Sequence, residues 1–315
     1  MRLALATAII LMAQLPAAVQ AQSVYSYADT RAIAPPPHAA SAELGRVTDR
    51  AVLQTFEGQR APTAGRPSPA HQWRLQGDQH REARAYAAAE AAYTQALAVA
   101  AHDTASLYGR GASRHAAGDI ARAIEDYDAA ARLRPRWSAP YKLRATARLA
   151  QGLEEMAIAD FKRALEYEAK DVDQLTALGL VRLLQGENEI ALGNLVRAVQ
   201  FKDDAAAMLL LHLARMRMGE ASADELRLNA ERLPASDWKA NLIAHYQGKI
   251  SRVQLMGLAR NVGERCLAAY YGGLRLLDLN RRADGLALLQ EAALACDKTS
   301  LEFAAATFDL KRRGK

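Results

Sequence analysis

Apolar positions between Ala70 and Asp204 recur at helical spacing. Ala89, Tyr93, Ala96 and Leu97 stand at i, i+4, i+7 and i+8, which is one face of a helix. Trp73, Gly77 and His80 give similar spacing on a preceding helix, and a polar break near Arg84 separates the two. The whole arrangement then returns every 34 residues. Gly77, Gly111, Ala145 and Gly179 form one series, and Ala89, Ala123, Ala157 and Ala191 a second. Tyr93, Tyr127, Phe161 and Leu195 form a third, and Ala96, Ala130, Ala164 and Ala198 a fourth. Gly118, Gly152 and Gly186 mark the break between helices, where the first unit has Arg84. Small residues at two positions allow close helix approach, and a large one fills the gap to the next unit. Such hairpins cannot bury their apolar faces alone, so the pattern predicts stacked units in a superhelix.

Period and small/large positions together resemble the tetratricopeptide repeat. The resemblance implies an all-α solenoid of antiparallel helix hairpins and, in function, an interaction scaffold. Four units are expected over 70–205. The register then degrades over 206–265, where helices are expected at Ala205 to Met218, Ser222 to Arg232, Asp237 to Tyr246 and Ser251 to about Asn261. It returns over 266–310 with Gly273, Gly285, Leu289 and Ala292, followed by a capping helix from Ser300 to Leu310. The basic tail 311–315 is expected to fray.

The N-terminal stretch reads differently. Met1-Arg2, an apolar run from Leu3 to Leu15, Pro16 and then Val19-Gln20-Ala21 have the form of a secretory signal peptide cut after Ala21. The run is short for a membrane span, and no cysteine follows it for lipidation. Residues 22–69, with Pro35-Pro36-Pro37 and Gly65-Arg66-Pro67-Ser68-Pro69, read as a linker, interrupted by a short amphipathic stretch at Leu44, Val47, Ala51 and Phe56. The expected location is a bacterial periplasm, without a stable membrane anchor.

Composition narrows the chemistry. Half of the 315 residues are hydrophobic, and the net charge is +6. An exported basic chain points to acidic proteins, peptides or envelope polyanions rather than nucleic acid. The histidines show no metal-binding spacing, and no nucleophile elbow or phosphate loop is present. No cofactor, metal site or enzymatic activity is therefore expected; a cryptic enzyme acting on the envelope is the alternative of another class. In this repeat the first helix of each unit lines the concave face. Its fifth positions are Arg74, Tyr108, Lys142 and Thr176, and its twelfth include Arg81 and His115. These read either as a basic, partly aromatic groove for partner peptides or as a solvated charged face. Arg132, Arg134, Arg136, Lys142, Arg144 and Arg148 form a run that two helices would gather on one edge.

Cys266 and Cys296 fall at the same end of the last hairpin. An oxidising compartment permits a disulfide, and the alternative is two small buried hydrophobes.

A second resemblance covers the C-terminal half. Asp237-Trp238, Ala244-His245-Tyr246-Gln247-Gly248-Lys249-Ile250-Ser251, Cys266-Leu267-Ala268-Ala269-Tyr270-Tyr271-Gly272-Gly273 and Leu301-Glu302-Phe303-Ala304 are similar to the end of the new-lipoprotein-I (NlpI) family. That resemblance implies a periplasmic adaptor that brings murein hydrolases to a protease. The family's lipid-anchored cysteine is absent here. An assembly factor for a secretion or pilus system is the alternative within binding proteins.

Overall fold

A computed structural model describes residues 68–234 and 236–313. The expected leader, the linker up to residue 67 and the last two residues of the tail lie outside the described residues. Four hairpins of 14-residue helices follow one another: α1 (Pro69–Glu82) with α2 (Tyr86–Val99), α3 (Thr104–Ala117) with α4 (Ile120–Leu133), α5 (Ser138–Gln151) with α6 (Glu154–Tyr167), and α7 (Val172–Gln185) with α8 (Asn188–Phe201).

Local chemistry sets each boundary. Ser68, Asp103 and Asp171 cap first helices by accepting from the backbone N–H three residues on, at 3.2, 3.3 and 3.1 Å. Trp137 takes this position in the third unit and supplies no side-chain cap. Gly118, Gly152 and Gly186 end the first helices in the left-handed region, with φ of 100°, 86° and 85°. Arg84 and Asn280 adopt the same conformation, both with φ of 58°.

The large residue of each unit is fully buried: Tyr93, Tyr127, Phe161 and Leu195. Each faces its small partner. A Cβ on Gly77 would lie 2.7 Å from the Tyr93 ring, and one on Gly179 would lie 2.6 Å from Leu195. Burying such a side chain contributes roughly 1.5–3 kcal/mol, and the missing Cβ makes the room. Trp73 and His80, expected on the packed face of α1, are exposed. Among the described elements only α2 and α3 pack closely on that helix, so Gly77 alone of the three is covered.

A charged motif shares the same period. Arg110 and Arg114 converge on buried Asp126 at 2.7 and 2.8 Å. Thirty-four residues later, Arg144 and Arg148 converge on buried Asp160 at 2.5 and 2.7 Å. Both arginines also reach Asp128. The basic run 132–148 is therefore not gathered on one edge: Arg144 and Arg148 are half-buried and held in ion pairs, whereas Arg132, in the last turn of α4, and Arg134 and Arg136, on the connection that follows, are exposed.

The register slips at Asp204. This N-cap, accepting from Ala207 N at 2.9 Å, comes one residue earlier than the period requires. Helix α9 (Ala205–Arg217) is apolar around most of its circumference and is buried accordingly. Three short helices follow, α10 (Ala223–Ala230), α11 (Ala240–Tyr246) and α12 (Arg252–Leu258). Asp237, expected to cap a helix, instead accepts from Lys239 N within a turn at 2.9 Å, and α11 begins later. The final hairpin pairs α13 (Val262–Asp278) with α14 (Arg282–Ala295). Cys266 and Cys296 are bonded across its end, with a Cα–Cα separation of 4.8 Å.

The last helix, α15 (Leu301–Arg313), was expected only to cover the open face of this hairpin. It packs there, and it also lies against α5 and α7. Lys311, Arg312 and Arg313 are part of the helix rather than a frayed tail. Among the described residues, no helix is long and apolar enough to cross a membrane.

A groove crossed by the C-terminal segment

First helices α1, α3, α5 and α7 line the inner face, and the chain returns to that face after Cys296. Three cations mark its path by capping helix C-termini, where carbonyls lack partners within the helix. Lys298 Nζ donates to Ala117 O at 2.9 Å, and Lys311 Nζ to Ala150 O at 2.8 Å. Arg312 donates to Leu184 O. These carbonyls belong to the ends of α3, α5 and α7.

Thr299 stands between two cavities, and Leu143 on the opposing wall is common to both. One cavity, of about 360 Å³, is bordered by Arg81, Tyr108, Ala112 and Asp297. The Tyr108 ring is held 5.0 Å from Trp137 and 6.2 Å from Tyr127. Arg81 Nε donates to Tyr93 Oη at 3.4 Å, and that hydroxyl donates to Asp78 at 2.7 Å. Burial, and then the bond to Asp78, push the Tyr93 phenol up to about 12, so it stays a donor at neutral pH.

The second cavity, of about 350 Å³, lies between α5, α7, the start of α9 and the start of α15. Lys142, Thr146, Gln174, Thr176, Lys239 and Glu302 are among its lining residues. Lys142 is held by Glu168 and Asp171. Lys239 lies 3.4 Å from Asp204. Gln174 and Thr176 are 9% and 5% exposed, and neither Gln174 Oε1 nor Thr176 Oγ1 has a hydrogen-bond partner. Desolvation, with Asp204 and Asp173 nearby, raises the Glu302 carboxyl pKa above its ordinary value.

The residues proposed from sequence thus separate. Arg81 and Tyr108 share one cavity, and Lys142 borders the other. Arg74 pairs with Asp78 at 3.2 Å and borders neither. His115 does not reach the groove surface. It is wholly buried beside Asp297 and the Lys298 backbone, and desolvation lowers its pKa to about 4. Position counting within the repeat missed this because the covering segment comes from the far end of the chain. Gln174 and Leu143 were likewise not singled out, and Glu302 entered only as part of the Leu301–Ala304 motif, not as a groove residue. The aromatic residues of the C-terminal motifs are structural: Tyr270 and Tyr271 are fully buried, Tyr246 Oη donates to Tyr271 O at 2.8 Å, and Trp238 Nε1 donates to Leu258 O at 2.9 Å.

No family model and no curated protein matches the chain. Solved structures do. A tetratricopeptide repeat protein from Parabacteroides merdae superposes with a TM-score of 0.51 at 13% identity, over 76% of this chain and 98% of its own. MamA gives 0.48 at 21% identity, over 58% and 96%. A thermophilic repeat protein of Thermus thermophilus gives 0.45 at 20%, over 57% and 100%. The 34-residue hairpins, their small and large packing positions and the first of these superpositions together show that the chain has the fold of a tetratricopeptide repeat solenoid.

Proposed function

We propose that this protein is an exported interaction scaffold that holds an extended segment of a cell-envelope protein along its inner groove. The observation that carries the reading is the pair of cavities that share Thr299 and Leu143, one of them bordered by the unpartnered polar atoms of Gln174 and Thr176. Repeat solenoids use such inner faces for binding. Export is supported by the leader pattern ending at Ala21 and by the Cys266–Cys296 bond, which persists in an oxidising compartment. The resemblance to the new-lipoprotein-I family adds the finer suggestion of an adaptor for murein hydrolases or a protease.

Co-purification from the native envelope tests the reading. Wild type is compared with Tyr108→Ala and Leu143→Arg, both at half-buried groove positions. Loss of the same partner from both variants, with the helical signal intact, is the expected result. Unchanged recovery from both would place the binding surface elsewhere. N-terminal sequencing should find the mature chain starting at Gln22, and a full-length chain held in the inner membrane would refute export.

A further inference from the structure

The cavity between α5, α7, α9 and α15 carries more negative than positive charge. Asp173, Asp204 and Glu302 border it, and its two ammonium groups are Lys142 and Lys239. Lys142 is already held by two further carboxylates, Glu168 and Asp171. Five carboxylates therefore face two ammonium groups, an excess of three negative charges. Three helix N-termini converge here, because Asp173 lies in the first turn of α7, Asp204 caps α9 and Glu302 lies in the first turn of α15. Their partial charges, roughly half a unit each, offset about half of that excess and do not reverse it.

A second and independent observation concerns hydrogen bonding. Gln174 Oε1 and Thr176 Oγ1 are buried without a partner on the cavity wall. A buried polar atom left unpaired costs roughly 1–3 kcal/mol, so both are poised to meet a ligand. An amide oxygen can only accept. The complementary group is rich in donors, positively charged and narrow. The volume of about 350 Å³ falls within the range of ligand pockets, roughly 300–1,000 Å³.

We propose that this cavity is a binding site for a cationic side chain, the ammonium of lysine or the guanidinium of arginine, presented by a peptide in the groove. The proposal deepens the scaffold reading by naming what the groove selects, and it rests on that reading. It also departs from the sequence expectation of a basic groove for partner peptides. Glu302 is the principal counter-charge: it has no ion-pair partner within 4.0 Å, whereas Asp204 has Lys239. Thr176 and Gln174 accept from the donors of the incoming group.

The test uses the full exported chain and pentapeptides acetylated and amidated at their ends, with arginine, lysine, glutamine or glutamate at the centre of an alanine-glycine frame. Binding is read by NMR from the Thr176 methyl and the Gln174 side-chain amide. Shifts at both sites with the arginine or lysine peptide, and at least tenfold weaker response with glutamine and glutamate, are expected. Glu302→Gln should weaken the cationic peptides about tenfold. Should that variant fail to fold, Asp173→Asn, at an exposed position, should weaken them severalfold. Glu231→Gln, at the C-terminal end of the far helix α10, should change nothing. The proposal is overturned if no cationic peptide shifts the two reporters, if the glutamine peptide shifts them equally, or if both carboxylate variants bind as wild type does. These results are separable from failure of the scaffold reading. Partner recovery that survives Glu302→Gln but not Leu143→Arg would leave the groove in place and remove only the cation site.

Discussion

Acidification should unlock the segment that crosses the groove, through His115. In the folded protein this imidazole is wholly buried and its pKa is lowered to about 4, chiefly by desolvation, against 6.5 ordinarily. Asp297 opposes the shift without cancelling it. Between pH 6.5 and 4 the unfolded chain therefore binds a proton at this site that the folded chain does not. Stability contributed by the neutral imidazole is complete above about pH 6.5 and falls as pH drops toward 4. The full linkage is about 3 kcal/mol, from a displacement of about 2.5 pH units at 1.36 kcal/mol each. About 2 kcal/mol of it is lost by pH 4.5. Urea denaturation of wild type and His115→Leu at pH 7, 6, 5 and 4.5 isolates the contribution, because carboxylate titrations are common to both. The wild type should lose about 2 kcal/mol more than the variant over this range. The His115 ring resonances should titrate near pH 4. A midpoint between 6 and 7, or parallel stability curves, would mean that Asp297 and Lys298 do not shield the ring, and the described path of the chain would be wrong.

Further outcomes follow from single contacts. Removing the Cys266–Cys296 bond frees a loop with a sequence separation of 30, and the chain-entropy relation gives about 3.5 kcal/mol; a double serine variant should melt roughly 10 °C lower by calorimetry, and an unchanged melting temperature would refute the pairing. Asp160→Ala leaves Arg144 and Arg148 without a buried counter-charge and should cost about 3 kcal/mol in urea, whereas a loss under 1 kcal/mol would make the pair a surface one. Gly152→Ala forces a side chain into φ of 86° with open space around it and should cost about 1 kcal/mol, while Gly193→Ala, exposed in the interior of α8, should gain about as much. Opposite signs in that pair are the critical outcome.

Sequence periodicity reveals the solenoid because each repeat solves the same local problem. Gly111 beside Tyr127 and Gly179 beside Leu195 are one contact made twice, and such contacts leave a spacing that can be read directly. The inner face is harder to read. Its occupancy is decided by Lys298 reaching Ala117 across 181 residues and Lys311 reaching Ala150 across 161. A lysine that caps a distant helix has the same sequence signature as one that is solvated. Position counting therefore placed Tyr108 and Arg81 beside a cavity, yet gave no sign that His115 is covered or that Glu302 enters the groove. The charge balance was hidden for a related reason. Lys142 reads as a groove cation until folding brings Glu168 and Asp171 against it.

Site-specific photo-crosslinking in the native host tests the central claim most directly. A benzophenone amino acid replaces Leu143, which borders both cavities, or Glu125, on the exposed face of α4. Irradiation should give a discrete adduct with an envelope protein from position 143 and none from 125, and the adduct should diminish in Glu302→Gln. Adducts from 125 alone, or equal yields from both positions, would contradict a partner held in the inner groove.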